Sequence, residues 1–229
     1  MNLERYEYEG TRTYIEYSFY SEGPKGRILK IVRFVLISNY PFYVYNLVLG
    51  DWDEVKKKID DKVKTNNGDT EKVLATVATI VLLFTDIFRN AIVHFKGRGG
   101  RTRLYQISIN KYWDEIKERL YVSGYVNGLS GPFQKNITYD GFLINRDRYL
   151  IGPKEQFILE EQTEIYMTSQ KKNEVKKHVY NDRIVDRPDM VDDNDPYIRR
   201  KTEEARKALA ELNIFPPECF LKPEDGQQE

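Results

Sequence analysis

Phe95 to Tyr105 reads FKGRGGRTRLY, three glycines set among Lys96, Arg98, Arg101 and Arg103. Glycines let backbone N–H groups meet a ligand with little steric cover, and guanidinium forks grip phosphate oxygens in pairs. The chemistry spelled here is phosphate binding, with Tyr105 a further candidate for the site; tyrosines exposed beside arginines could stack bases or fill a protein interface. No Gly-Lys-Ser/Thr follows to complete a P-loop, so a solvated basic turn stands as the plain alternative.

A second polar group is TNNGDTEK, in which Asn66, Asn67, Asp69 and Lys72 could join the arginines in one site. Asp69 also suits the N-cap of a following helix, after a turn at Asn66-Asn67-Gly68. Asp51, Asp60 and Asp61 are candidate magnesium ligands for phosphoester chemistry, although their spacing matches no defined metal loop. The same carboxylates serve equally well to cap, turn and solvate. Material for a hydrolytic triad is thin. The histidines are His94, mid-strand, where it reads as a satisfied structural residue, and His178 in a polar arm. Cys219, the single cysteine, sits in an apolar stretch and reads as packing.

These residues need elements to position them. Val73 to Phe84 carries only Thr76 and Thr79 as polar side chains, the pattern of a buried helix, and it is too short to cross a bilayer. Ahead of it, Ile15, Tyr17 and Phe19 alternate with polar residues; Arg27–Ser38 is a long β-branched run, and Phe42–Leu49 is another. Turn residues separate them, which makes a hairpin meander rather than the strand–helix alternation of a doubly wound sheet. Residues 50–64 fit either a short helix or a short strand. Ala91–Lys96 and Arg101–Asn110 read as a hairpin around GRGG, with Arg103, Tyr105 and Ile107 on one face. A short helix then places Trp113, Ile116 and Leu120 on one stripe, before strands at 121–126 and 139–145. The sum is an α+β body, β-β-β-α-β-β-α-β, whose mostly antiparallel sheet packs on the buried helix and carries its helices on one face.

Residues 1–150 form this body, and 151–229 an extension. The extension opens with a polar arm. Asp195-Pro196 then starts a helix running to about 212, with a thin stripe of Ile198, Ala205, Leu209 and Leu212 that needs a surface, and an apolar anchor follows. Residues 1–150 hold 23 basic and 18 acidic side chains and residues 151–229 hold 13 and 18, so a chain with no net charge has a basic body and an acidic tail. The tail could therefore lie on the body or on a partner. One cysteine and no basic-then-apolar opening segment point to the cytoplasm.

YNLVLGD, IDD, TNNGDTEKVLATVA, RTRLY and FQKNITYDGFLINR, in that order, resemble an uncharacterised family of small bacterial proteins, a domain of unknown function, over about residues 5–150. The resemblance carries over Gly50, Asp51, Asp60, Asp61, Asn66, Asn67, Gly68, Asp69, Lys72, Arg101, Arg103, Tyr105, Tyr139 and Phe142, and implies no activity, ligand or cofactor. Three functions follow as expectations. The first is a non-enzymatic interaction module contacting phosphate or nucleic acid, with no cofactor. The second is a magnesium-dependent phosphoester or nucleotide enzyme. The third is assembly with a protein partner or a second copy through 153–229. None involves a membrane.

Overall fold

The computed structural model describes residues 4–39, 42–60, 66–97, 100–146, 183–185 and 189–212. The fold class is the expected one: α+β, built on a mixed and mostly antiparallel sheet. Four strands, β1 (Tyr8–Thr11), β2 (Glu16–Gly23), β3 (Gly26–Ser38) and β4 (Tyr43–Asp53), form a meander, and β5 (Lys58–Asp60) folds back on the end of β4. That settles residues 50–64, as far as they are described, as strand and turn.

Helix α1 (Thr70–Ile87) carries the chain across to β6 (Ala91–Phe95), which lies parallel to β4. Two helices follow, α2 (Arg101–Lys111) and α3 (Trp113–Ile116), then the hairpin of β7 (Tyr121–Val126) and β8 (Leu129–Pro132). β9 (Gly141–Asn145) inserts between β6 and β7, antiparallel to both. β10 (Arg183–Val185) pairs parallel with β1, and α4 (Pro196–Glu211) comes last. The strand order is β10-β1-β2-β3-β4-β6-β9-β7-β8, with β5 beside β4.

α1 is buried as its composition requires, from Ala75 to Thr85 with only Ala78 half-buried. Its threonines do not break the apolar surface: Thr76, Thr79 and Thr85 donate their hydroxyls to the carbonyls of Lys72, Ala75 and Val81 at 2.8, 2.9 and 2.8 Å. Phe84 stacks on Phe34 of β3 with ring centroids 3.8 Å apart, at the centre of a core that also takes Tyr17, Phe19, Val93 and Phe142 from the sheet. α2 and α3 close the outer side of α1. Lys111 and Tyr112 both bond the Glu71 carboxylate.

Two expectations are corrected here. Arg101–Asn110 is helix, not strand: Tyr105 and Ile109, four residues apart, turn inward, while Leu104 and Ile107 are left exposed. The helices also do not share one face. α4 covers the opposite side of the sheet, burying Ile198, Ala205, Leu209 and Leu212 against Ile31, Ile37, Val44, Ile92 and Leu143. Its start is as read: the Asp195 carboxylate accepts from the Tyr197 and Ile198 amides, and Pro196 opens the helix.

A buried ion cluster fixes the approach to α4. Glu16, fully buried on β2, pairs with Arg33 of β3 at 3.1 Å and accepts the Met190 and Val191 amides at 2.7 and 3.0 Å. Arg33 also reaches Asp189 at 3.3 Å and Asp193 at 2.7 Å. Burial works against its charge, but Asp193, Glu16 and Asp189 more than offset this and hold the guanidinium above its ordinary pKa.

Candidate functional site

β6 ends at Phe95 and α2 begins at Arg101, so the glycine-rich basic segment is a strand-to-helix connection rather than a hairpin tip. Gly100 takes φ +87°, the left-handed conformation that starts α2, and a Cβ on Gly97 would run into the Thr102 amide nitrogen. The Thr102 hydroxyl accepts the Gly97 N–H at 2.9 Å, which folds the connection over the helix start.

Beside this connection lies a polar cavity of about 430 Å³, within the range of small-ligand sites. Its walls are β4 at Asn46–Leu49, the end of β6 and the first turns of α2, and it is roofed by α4. Lys96, Arg101, Lys201 and Lys207 line it against two carboxylates, Glu204 and Glu211. Lys201 reaches Glu204 at 3.6 Å and Lys207 reaches Glu203 at 3.8 Å, whereas Lys96 and Arg101 form no ion pair among the described residues. Among the described residues, then, Lys96 and Arg101 line the cavity outside any ion pair, with the Glu211 carboxylate on the same lining.

His94 forms part of the same wall. It is buried, its Nδ1 lies 3.1 Å from Asn46 Oδ1 and its Nε2 2.8 Å from the Tyr125 hydroxyl. Asn46 in turn donates its Nδ2 to the Lys201 carbonyl at 3.4 Å, which leaves Oδ1 to accept from Nδ1–H and Nε2 to accept from Tyr125. Burial, with Lys96 and Lys201 adding to it, lowers the His94 pKa to about 3. The imidazole is neutral and fully engaged, as expected of a structural strand histidine. Tyr125 is pushed up by burial and by the nearby Asp140 and Glu211 charges, so it stays a donor.

Of the residues read from sequence, the cavity gathers Lys96, Arg101 and Tyr105. Tyr105 is wedged edge-on against Phe95 with centroids 5.5 Å apart, and burial raises its pKa. Arg103 points to solvent on α2 and lies outside the cavity lining. Arg98 and Asp61 lie outside the described residues, as do His178, Cys219 and most of the polar arm. Asp60 pairs its backbone with Asp51, whose carboxylate is taken by Lys30. Among the described residues no group of three His, Cys, Asp or Glu is placed to hold a metal ion.

The TNNGD turn has a different task. Asn67 is buried, donates to Ser21 Oγ and the Gly26 carbonyl at 3.1 Å each, and accepts the Lys25 amide at 2.9 Å, so it pins the β2–β3 hairpin. Asp69 occupies the N-cap position of α1 without capping it. Its carboxylate instead accepts from Ser21 Oγ at 2.6 Å and Tyr6 at 2.8 Å. Lys72 pairs with Glu4 at 2.7 Å and sits over the Tyr6 ring, while Asn66 is exposed. None of the four lines the cavity. Sequence reading missed Asn46, Lys201, Glu204 and Glu211 as cavity residues. The available signal was Asn46 itself, an amide in the middle of the apolar run FYVYNLVL.

A family described as "Family of unknown function (DUF6934)" matches residues 2–147. The chain belongs to this family. The DUF6934 match takes in every strand but β10, together with α1, α2 and α3, and ends before α4. The cavity thus has a floor inside the DUF6934 region and a roof, α4, outside it. No curated protein and no solved structure matches the chain. No helix among the described residues is long and apolar enough to cross a membrane.

Proposed function

We propose that this protein is a non-enzymatic binding module whose polar cavity takes a phosphate-bearing small ligand. The observation that carries the reading is the pair Lys96 and Arg101, which line a 430 Å³ cavity without a counter-ion among the described residues. A cation facing a partly enclosed space seeks an anion, and a guanidinium prefers the forked geometry of phosphate. Binding is favoured over proton transfer because His94 has both nitrogens occupied. A small ligand is favoured over a nucleic-acid strand because α4 roofs the space that a polymer would need to cross. The magnesium alternative loses Asp51 to Lys30.

The test is isothermal titration of the full chain with ribose 5-phosphate, set beside a Lys96→Ala/Arg101→Ala variant. The reading expects binding by the parent chain, weakened about tenfold or more by the double substitution, roughly 1.4 kcal/mol. Equal binding by both would contradict it. A single-stranded oligonucleotide that binds more tightly than ribose 5-phosphate, with an affinity falling steeply in salt, would replace the small ligand by nucleic acid.

A further inference from the structure

Helix α1 is not sealed where α2 and α3 pack on it. Between these helices and the sheet lies a second cavity, of about 100 Å³, which among the described residues shares only Leu47, Leu49 and Tyr105 with the polar one. Leu74 and Ala78 stand on its α1 wall, one turn apart and so on one face. Both are only half-buried, while residues 75–77 and 79–80 around them are buried. An alanine at position 78 leaves open the space that a longer side chain there would occupy.

The walls present almost no polar surface to this space. Among the polar residues on the lining, Glu71 takes the Tyr112 hydroxyl and Lys111 on its carboxylate, and Glu115 and Arg119 have partners of their own. An ordered buried water makes about three hydrogen bonds, and these walls supply hardly any. Left empty, the space forfeits the dispersion contacts that a close-packed core makes. An apolar molecule that fills it removes both penalties.

Size and wall chemistry set what can enter. An apolar cavity of about 150 Å³ takes benzene or xenon. The present one is of that order and is open at Leu74 and Ala78, so it has room for a single ring. A helix about 10 Å across is too wide, and an extended peptide would carry unsatisfied amides into it. The rings of Phe95, Tyr105 and Tyr112 stand on the lining, Phe95 and Tyr105 edge-on to each other with centroids 5.5 Å apart. A flat guest therefore meets ring faces and edges, which aromatic pairs favour.

We propose that this cavity is a binding site for a small single-ring aromatic molecule, seated between α1 and α2 against Ala78 and independent of the anion at Lys96 and Arg101. The experiment titrates the full chain with benzene and, separately, with cyclohexane. It follows the 13C–1H methyl signals of Leu74, Ala78 and Val81 together with the melting temperature. Benzene should shift these signals saturably and raise the melting temperature in step with its concentration. Ala78→Leu fills the space and should weaken benzene binding about tenfold or more. Ala78→Val, a smaller addition, is read beside it because leucine can overpack a core. No saturable shift of the methyl signals in the parent chain would overturn the site, as would unchanged affinity in a filled variant that melts cooperatively. Cyclohexane binding as tightly as benzene would overturn the aromatic class.

Discussion

His94 shows how much a single buried residue decides. In the unfolded chain it takes up a proton near its ordinary pKa of about 6.5, whereas in the fold it stays neutral down to about 3. Between those values the unfolded state binds more protons, so stability rises with pH across the window and is lost on acidification, by up to about 1.4 kcal/mol per pH unit from this group. His94→Gln keeps an amide that can donate and accept but does not titrate. Denaturant melts from pH 7 to 4 should show a shallower loss of stability for this variant than for the parent, and parallel losses would contradict the assignment. Arg33 is the second such residue. Arg33→Met removes the guanidinium from the buried Glu16 carboxylate and should cost about 3–5 kcal/mol in a urea melt, with the Glu16→Gln/Arg33→Met double variant recovering part of it. His94 was legible as a satisfied strand residue because it interrupts an apolar run. Asp69 was misread, since the hydroxyls that claim its carboxylate come from Tyr6 and Ser21, distant in sequence and invisible to local spacing.

At the scale of elements, the run RTRLYQISIN alternates polar and apolar side chains well enough to pass for a strand. What makes it a helix is the pairing of Tyr105 with Ile109 on one side and the anchoring of Lys111 and Tyr112 to Glu71 on α1, contacts that exist only once the fold is assembled. The two readings differ in a measurable way. Ile107, a core residue of the supposed strand, is about half exposed on α2, so Ile107→Asp should move stability by no more than about 0.5 kcal/mol. Ile109→Asp should cost several times as much, because it places a carboxylate against α1. α4 was legible in full, cap and stripe alike, because its start rests on Asp195-Pro196 and its stripe on helical period. What the period left unsaid was which surface it covers. Leu209 is fully buried between α4, which carries it, and the sheet, and Leu209→Ala should cost about 2–5 kcal/mol; Asp195→Ala, which removes the cap, should cost about 1 kcal/mol.

Taken whole, the molecule is a sheet clad on both faces, with the family region supplying one cover and the extension the other. The buried helix α1 could be read from composition alone, and the antiparallel meander from turn residues. The second cover could not, because the strands' apolar residues fit a one-faced sheet as readily until Ile31, Ile92 and Leu143 are seen to need α4. A chain ending at residue 188 should therefore expose these side chains and associate, seen as a rise in light scattering, and should lose the roof of its cavity and with it the affinity for ribose 5-phosphate. The central claim is that the cations at the end of β6 face a ligand rather than solvent. Its most direct test is a crystal structure of the full chain grown with ribose 5-phosphate. The phosphorus should lie within hydrogen-bonding reach of Lys96 Nζ and the Arg101 guanidinium, beneath α4. A phosphorus found elsewhere on the surface, or a cavity filled by water alone at saturating ligand, would contradict the account.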